Sequence, residues 1–314
     1  MVKLGVVGLG HMGGYHASNA RALQQAQLTA VADPVEANWN KIRGATVITS
    51  KDFRSWLPDV DGVIIAVPTA AHYEVAKECL KQGKHVLLEK PLTNDLEQAE
   101  ELVAIAHHHG VALHVGHVER FNGAVQEVKK IINKPTLIEC HRVGPFAPRV
   151  QKDSVVLDLM IHDIDLVINL VGAPVKDFSA HGTKIHSTSC DVATACITFE
   201  NGTIAAIVSS RASQIKKRTM AIHQLGEYIH LDFTTQDLTI HRQATSSVQV
   251  GTDQLKYRQE STIERVFVYK DNPLKLEIEH FVNAITTGDR LTNAAQDLAA
   301  LKLTFDIERA LGLR

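Results

Sequence analysis

The chain has 314 residues, of which 45% are hydrophobic and 22% charged, and its formal net charge at pH 7 is −2. This composition is typical of a soluble globular protein with about two domains, since a domain averages roughly 150 residues. The sequence has no basic stripe typical of nucleic-acid binding. It also has no uncharged apolar run of the ~18 residues that a membrane span needs, so we expect neither nucleic acid nor membrane as a partner.

The cysteine and histidine patterns give no sign of a metal site. The four cysteines are scattered and form no C-x-x-C pair, which argues against a zinc site and a disulfide scaffold. They are compatible with a reducing cytoplasm, the location we predict. Three of the 17 histidines form a run at 107–109, where a helical pattern ends just before Gly110. We interpret this run as a solvated helix end and predict no metal.

Residues 3–16 (KLGVVGLGHMGGYH) form an apolar strand pattern that runs into a glycine-rich turn and a helix. Gly8, Gly10 and Gly13 have the G-x-G-x-x-G spacing. Such glycines allow a tight turn, the close approach of a pyrophosphate and close packing of helix on strand. The N–H groups and dipole of the helix N-terminus favour a phosphate. The pattern therefore predicts a dinucleotide site.

The second predicted strand, 28–33, ends in Asp33, which lies 20 residues beyond Gly13. At this spacing a carboxylate can accept hydrogen bonds from the adenosine ribose hydroxyls. It would also repel a 2′-phosphate, and no arginine follows closely, so NAD is favoured over NADP. The alternative is that Asp33 only opens a turn with Pro34.

Strands and helices continue to alternate through the first part of the chain. Strands are predicted at 60–69, 84–91 and 112–117, and helices at 72–83 and from Asn94, where Glu97 completes a capping-box pattern. This alternation predicts a Rossmann domain at 1–119, with a doubly wound parallel sheet. Ligands bind at the carboxyl ends of such strands. The residues predicted at these ends are Asp33, Pro68, Thr69, Glu89, Lys90 and His117.

After about residue 120 the pattern changes to successive strands with short turns. Strands are predicted at 136–143, 175–185, 191–199, 203–211, 218–225, 227–233 and 262–269, and helices at 274–287 and 293–311. Asn201-Gly202 predicts a type I′ hairpin turn, and the polar stretch 241–261 predicts a loop. We therefore expect a second domain at 120–314, of the α+β class, with an open and mainly antiparallel sheet.

The stretch VVLDLMIHDIDLVINLV (155–171) predicts a mostly buried helix with one polar stripe. At 100° per residue, Asp158, His162, Asp165 and Asn169 fall in one narrow sector, and Asp163 lies off it. Buried polar groups without partners cost on the order of 1–3 kcal/mol each. The stripe must therefore face a cleft, a ligand or itself. We expect a self-satisfied network for Asp165 and Asn169, and a functional pair in Asp158 and His162.

Taken in order, these motifs resemble the Gfo/Idh/MocA oxidoreductases over nearly the whole chain. The residues that carry the resemblance are Gly8-Leu-Gly-His-Met-Gly13, Asp33-Pro34, Pro68-Thr-Ala-Ala-His72, Glu89-Lys-Pro91, Gly116-His117 and Asp158-x-x-x-His162. The resemblance implies that Lys90, Asp158 and His162 are catalytic. It also implies that His11, Met12, His72 and His117 contact the cofactor and that Glu89-Lys90-Pro91 borders the nicotinamide ribose. It further implies that the protein is a homodimer or homotetramer.

The chemistry agrees with these roles. Oxidation of a secondary alcohol needs hydride transfer to the nicotinamide and loss of the hydroxyl proton. A histidine, with an ordinary pKa of about 6.5, can accept that proton near neutrality. We favour His162 as the base and Lys90 as the orienting or relaying group, although the two roles could be exchanged.

A narrower resemblance links HVERFN (117–122) and HRVGPFAPR (141–149) to the UDP-N-acetylglucosamine 3-dehydrogenase branch. It implies substrate contacts from Arg120, Asn122, Arg142 and Arg149. Guanidinium groups match phosphate oxygens, so Arg142 and Arg149 would suit a diphosphate; surface salt bridges are the alternative. Gly123 and Ala147 stand where that branch usually has proline.

The leading hypothesis is an NAD-dependent dehydrogenase that oxidises a ring hydroxyl of a sugar nucleotide, for example the 3-hydroxyl of UDP-N-acetylglucosamine. A second is the same reaction on a free sugar or inositol. The third is a non-catalytic, dinucleotide-sensing regulatory protein.

Overall fold

The computed structural model describes residues 1–42, 46–147, 153–244, 260–288 and 293–314. By contact, the chain divides into two compact units. The first consists of residues 1–121 and 271–302, and the second of residues 122–270 and 303–314.

The first unit contains a six-stranded parallel sheet in the order β3-β2-β1-β4-β5-β6. Its strands are β1 (Val2–Val7), β2 (Ala26–Ala32), β3 (Ile48–Ser50), β4 (Gly62–Ile65), β5 (His85–Glu89) and β6 (Leu113–Gly116). The strand order reverses direction between β1 and β4, which is the usual place of a ligand crevice in this kind of sheet. The predicted Rossmann fold is confirmed.

Helices of the first unit are α1 (His11–Ala22), α2 (His72–Lys81), α3 (Leu96–His109) and α6 (Pro273–Thr287), with the first part of α7 (Ala294–Ala310). Helix α3 begins one residue later than the capping pattern predicts, because the side chain of Asp95, and not of Asn94, accepts from Gln98 N. The helix ends at Gly110 with φ 63°, and the three histidines before it are solvent-exposed.

Helix α6 belongs to the core of the first unit. Ile278 and Phe281 are fully buried there, in a cluster with Leu4 and Leu28 of the parallel sheet. Compact units and functional domains need not coincide, so the division at 119/120 stays a prediction. By contact, however, residues 271–302 pack with the first unit.

The second unit contains an eight-stranded sheet in the order β14-β13-β12-β11-β7-β10-β9-β8. Its strands are β7 (Leu137–Val143), β8 (Val175–Thr183), β9 (Val192–Phe199), β10 (Ile204–Ser210), β11 (Lys217–Gln224), β12 (Glu227–Asp232), β13 (Asp237–Ala244) and β14 (Glu260–Val266). Only the β7–β10 pair is parallel. The predicted mainly antiparallel sheet is confirmed.

Three local predictions need correction. Strand β13 reaches Ala244, into the stretch predicted as a loop from 241. Helix α4 (Gly123–Ile131) was not predicted. The hairpin between β9 and β10 is not type I′, because among the described residues of this turn only Gly202 has a positive φ. Gly202 N donates to Phe199 O, and Thr203 N to the side chain of Asn201, as in a type I turn followed by a glycine bulge.

One face of the eight-stranded sheet is covered by helix α5 (Ile161–Val171). Along β7, buried and half-buried residues alternate, so that Ile138 and Cys140 lie inside while Glu139 and His141 lie on the other, partly exposed face. None of the helices in the described part of the chain combines the length and the apolar character that crossing a membrane requires.

Candidate functional site

The glycine-rich turn of the first unit has the geometry that its spacing predicts. Gly8 has φ +88°, and a Cβ there would lie 2.5 Å from Ala66 O. A Cβ on Gly13 would lie 1.8 Å from Gly8 O, so only glycine allows α1 to pack this closely on the turn. Gly10 is the N-cap of α1 and places no side chain over its first N–H groups. The turn therefore fits the pyrophosphate of a dinucleotide.

Asp33 follows β2 and is fixed by three hydrogen bonds. One oxygen accepts from Leu9 N at 2.7 Å; the other accepts from Val35 N at 2.8 Å and Asn38 Nδ2 at 3.1 Å. Only 6% of the residue is exposed. An ionised carboxylate has about four acceptor positions, so these contacts leave capacity for a ribose hydroxyl.

Sequence reasoning missed Lys41. It lies in a 3₁₀ segment (Glu36–Ile42), and its ammonium group donates to Gly10 O at 2.9 Å and to Leu9 O. A cation thus lies at the glycine turn although no arginine follows Asp33 closely. Lys41 and Gly10 are 31 residues apart, so no local pattern predicts their contact. The length of the lysine side chain was the only signal in the sequence that pointed to it.

The other predicted cofactor residues follow β1, β4, β5 and β6 at the same edge of the sheet. His11 and Met12 are exposed in the first turn of α1. Pro68 and Thr69 precede α2, the buried His117 follows β6, and Glu89, Lys90 and Pro91 end β5. The Lys90–Pro91 peptide bond is cis. Lys90 is half-buried, and its backbone N–H donates to Glu89 Oε2 at 3.2 Å.

The helix that carries Asp158 and His162 departs from the ideal α geometry assumed above. Residues Val156–Met160 form a π-turn, in which Ile161 N donates to Val156 O, and α5 begins only at Ile161. A π-turn contains an extra residue, so the stripe is not continuous between Asp158 and His162. Both residues are half-buried. Such turns often mark functional sites.

Asn169, at the far end of the predicted polar stripe, forms its hydrogen bonds within the helix. Asn169 Nδ2 donates to Asp165 O at 2.8 Å and to Asp165 Oδ1 at 3.2 Å. This agrees with the self-satisfied network expected for these two residues.

Of the four predicted substrate residues, three lie in the described chain, and all three are buried with internal partners. Arg142 binds both oxygens of Asp163, at 3.0 Å and 2.8 Å. Arg120 binds Asp297 at 2.5 Å. Asn122 caps α4 and donates to Phe233 O at 3.0 Å. These contacts favour structural roles. Arg149 lies outside the described residues.

Glu277, on α6, is a buried acid that sequence reasoning did not find. It lines a pocket with His114, Arg120 and Asp297. Neither of its oxygens has a hydrogen-bond partner among the described residues. Burial, with a contribution from the charge of Glu89, raises the pKa of Glu277 well above its usual range. Burial also lowers the pKa of His114 to about 4.

Glu277 should make the stability of the protein depend on pH. Because its folded-state pKa is raised, the folded protein binds this proton more tightly than the unfolded chain. The stabilisation that this proton provides is complete below pH ~4.5 and is lost as the pH rises through the folded-state pKa. The free energy of unfolding then falls by up to about 1.4 kcal/mol per pH unit. Urea unfolding of Glu277→Gln between pH 5 and 9 should show a weaker decline than wild type. An unchanged decline would mean that other groups cause it.

Two family models match the chain. The model of the oxidoreductase family with an NAD-binding Rossmann fold matches residues 2–117, and that of the GFO/IDH/MocA C-terminal domain matches residues 125–227. Together they match more than half of the chain and confirm the resemblance seen in its motifs.

Comparisons with individual proteins support the same family. The chain is 34% identical to UDP-N-acetylglucosamine 3-dehydrogenase of Acidithiobacillus ferrooxidans over 291 residues, which cover 90% of this chain and 88% of that protein. A solved structure of the latter matches with a TM-score of 0.90 and 31% identity, over 99% of this chain and 97% of that chain. The chain is also 29% identical to scyllo-inositol 2-dehydrogenase (NAD(+)) of Bacillus subtilis over 232 residues, 68% of each protein.

These relatives are dehydrogenases, in line with the predicted class of enzyme acting on CH–OH groups. With both family models and the parallel sheet in agreement, the chain belongs to the GFO/IDH/MocA family of NAD-binding oxidoreductases.

Proposed function

We propose that the protein oxidises a secondary ring hydroxyl of a sugar nucleotide, with the 3-hydroxyl of UDP-N-acetylglucosamine as the first candidate. The observation that carries this proposal is the placement of Lys90 at the carboxyl end of β5, at the sheet edge that also holds the glycine turn and Asp33. The relative that acts on UDP-N-acetylglucosamine supports the choice of substrate.

NAD, when bound, supplies the acceptor for the hydride. The first-turn N–H groups of α1 would hold its pyrophosphate, and Asp33 its adenosine ribose. His11, Met12, Pro68, Thr69, His72, Glu89, Pro91 and His117 are the further proposed cofactor contacts. In the reaction His162 accepts the hydroxyl proton, Lys90 orients the hydroxyl and stabilises the developing negative charge, and Asp158 is the third polar group.

A second candidate substrate is a free sugar or inositol. The buried pair of Arg142 and Asp163 favours it, because an arginine that holds a carboxylate with two hydrogen bonds is not available to a diphosphate. The scyllo-inositol 2-dehydrogenase among the relatives points the same way.

The test is absorbance at the reduced-nicotinamide band, with NAD or NADP and each of UDP-N-acetylglucosamine, UDP-N-acetylgalactosamine, glucose and myo-inositol. We expect signal with NAD and UDP-N-acetylglucosamine. Signal with free polyols alone would discard the nucleotide substrate and keep the mechanism. Silence with every donor, while NAD binds, would favour the regulatory alternative.

Asp33 should decide the preference for NAD. In Asp33→Ser the carboxylate that repels a 2′-phosphate is gone, so we expect the preference for NAD over NADP in kcat/KM to fall at least about tenfold, the equivalent of 1.4 kcal/mol. The matched control is Asp61→Ser, which removes a carboxylate that accepts from Lys3 N at the start of β4, the opposite sheet edge. If wild type and Asp33→Ser had the same ratio of kcat/KM with NAD to kcat/KM with NADP, this role of Asp33 would be contradicted.

A further inference from the structure

Lys90 lies between two residues that are each held by a buried histidine. His16, on α1, is 0% exposed, and His72, at the start of α2, is 1% exposed. Neither histidine is near Lys90 in sequence. Their contacts converge on Glu89 and Pro91, the two neighbours of Lys90 in the chain.

His16 holds Glu89. Its Nε2 lies 2.7 Å from Glu89 Oε1, while Glu89 Oε2 accepts from Lys90 N. Among the described residues nothing bonds to His16 Nδ1, so the proton belongs on Nε2, where it is donated to the carboxylate. The absence of a side chain at Gly116 makes room for Glu89, because a Cβ there would lie 3.1 Å from Glu89 Cα.

Glu89 is held in its ionised form. Burial alone would raise its pKa, but the hydrogen bond from His16, the charge of Lys90 and the bond from Lys90 N outweigh burial and lower it. Hydrogen bonds to an ionised group are stronger than neutral ones, so the bond from Lys90 N at 3.2 Å gains strength from the charge of Glu89.

His72 contacts Pro91, the neighbour on the other side of Lys90. Its Nδ1 lies 2.8 Å from Pro91 O, and its Nε2 lies 3.0 Å from Val67 O, in the segment after β4. Both partners are acceptors, yet a neutral imidazole has only one N–H. Burial lowers the pKa of His72, so the neutral ring donates to one carbonyl, and the shorter contact favours Pro91. The ring of His72 is thereby bonded to Pro91, the residue that follows Lys90.

We propose that His16 and His72 are positioning residues that fix Lys90 from both sides for its role in the reaction. The proposal rests on the proposed function in one respect, the catalytic role of Lys90. A lysine side chain is long and flexible, so the position of its ammonium group depends on how firmly its backbone is held. Misplacement of a reacting group by about 1 Å can cost about 100-fold in rate.

Two pairs of variants test the positioning role. His16→Phe and His72→Phe keep a ring and remove the donor. We expect kcat to fall about 100-fold in each, with KM for the sugar within about threefold of wild type. In His16→Phe, which changes no proposed cofactor contact, the Kd for NAD should also stay within about threefold. His16→Gln places an amide N–H near the position of Nε2, and His72→Asn places one near Nδ1. These two variants should recover most of kcat. Loss of kcat without recovery would indicate packing alone and overturn the proposal.

Hydrogen exchange gives a readout that needs no substrate. Because Lys90 N donates to a carboxylate, we expect its exchange to accelerate about tenfold or more in both phenylalanine variants and to return toward wild type in His16→Gln and His72→Asn. The matched control is His85→Phe. His85 lies at the other end of β5, where its Nδ1 accepts from Ala112 N, and its replacement should leave the exchange of Lys90 unchanged.

The outcomes separate the two proposals. Unchanged exchange at Lys90 in the phenylalanine variants would overturn the positioning role, whatever their activity. If His16→Phe does not fold, Glu89→Gln removes the charge of the carboxylate to which Lys90 N donates and should accelerate exchange similarly. Faster exchange in the variants, combined with a wild type that oxidises no sugar, would keep the positioning role and reject the proposed function.

Discussion

Replacement of His162 by asparagine is expected to lower kcat between about 100-fold and 10,000-fold, the usual contribution of a general base. An asparagine side chain is polar but cannot accept the hydroxyl proton near neutrality. His162 lies in the second unit, whereas the glycine turn and Asp33 lie in the first. The affinity for NAD, measured by fluorescence titration, should therefore stay within about threefold of wild type.

A matched control for this experiment is His181→Asn, which changes an exposed histidine on β8 of the same unit. We expect it to keep wild-type turnover. Should His162→Asn retain more than a tenth of wild-type kcat, His162 would not be the base, and the exchanged assignment, with Lys90 as base, would become the working hypothesis.

The second large effect is expected at the buried ion pair of Arg142 and Asp163, whose side chains are 3% and 1% exposed. Asp163→Ala would leave the guanidinium buried without its carboxylate. Breaking one partner of a buried pair costs about 3–5 kcal/mol, a large part of the stability of an ordinary domain. Chemical denaturation followed by circular dichroism should show a loss of this size.

Two further variants complete this test. Arg142→Met combined with Asp163→Leu removes both charges and should recover most of the lost free energy of unfolding, since apolar replacements of buried pairs are often neutral. Asp237→Ala, which breaks the exposed pair with Lys270, should change little. The double variant also tests substrate binding. An increase in KM of about 100-fold or more for UDP-N-acetylglucosamine would restore Arg142 as a diphosphate ligand.

The repeating parts of the fold were predictable from local patterns. The glycine turn, the first two apolar strands and Asp33 all lie within the first 33 residues, so spacing alone predicts their arrangement. Strand β13 was missed because, among its residues 237–242, whose burial is described, only Leu238 and Ile240 are buried, and the others are partly or fully exposed. Two apolar residues are too few to establish the alternation of a strand.

The polar helix shows where sequence reasoning fails. A constant 100° per residue cannot anticipate the π-turn at Val156–Met160, because this turn contains an extra residue. Asp163, off the predicted stripe, has its partner 21 residues away in Arg142. Partners this far apart in sequence are found only when the chain is folded. The same holds for His16 and Glu89, which are 73 residues apart.

The return of α6 to the first unit has a consequence for folding during synthesis. The parallel sheet is complete at residue 116, but Ile278 and Phe281, which complete its core cluster, emerge from the ribosome more than 150 residues later. Closing such long-range contacts is slow, and the apolar surface they will cover stays open to aggregation in the meantime. The core of the first unit therefore cannot close until α6 is made, although its sheet strands are among the first parts of the chain to emerge.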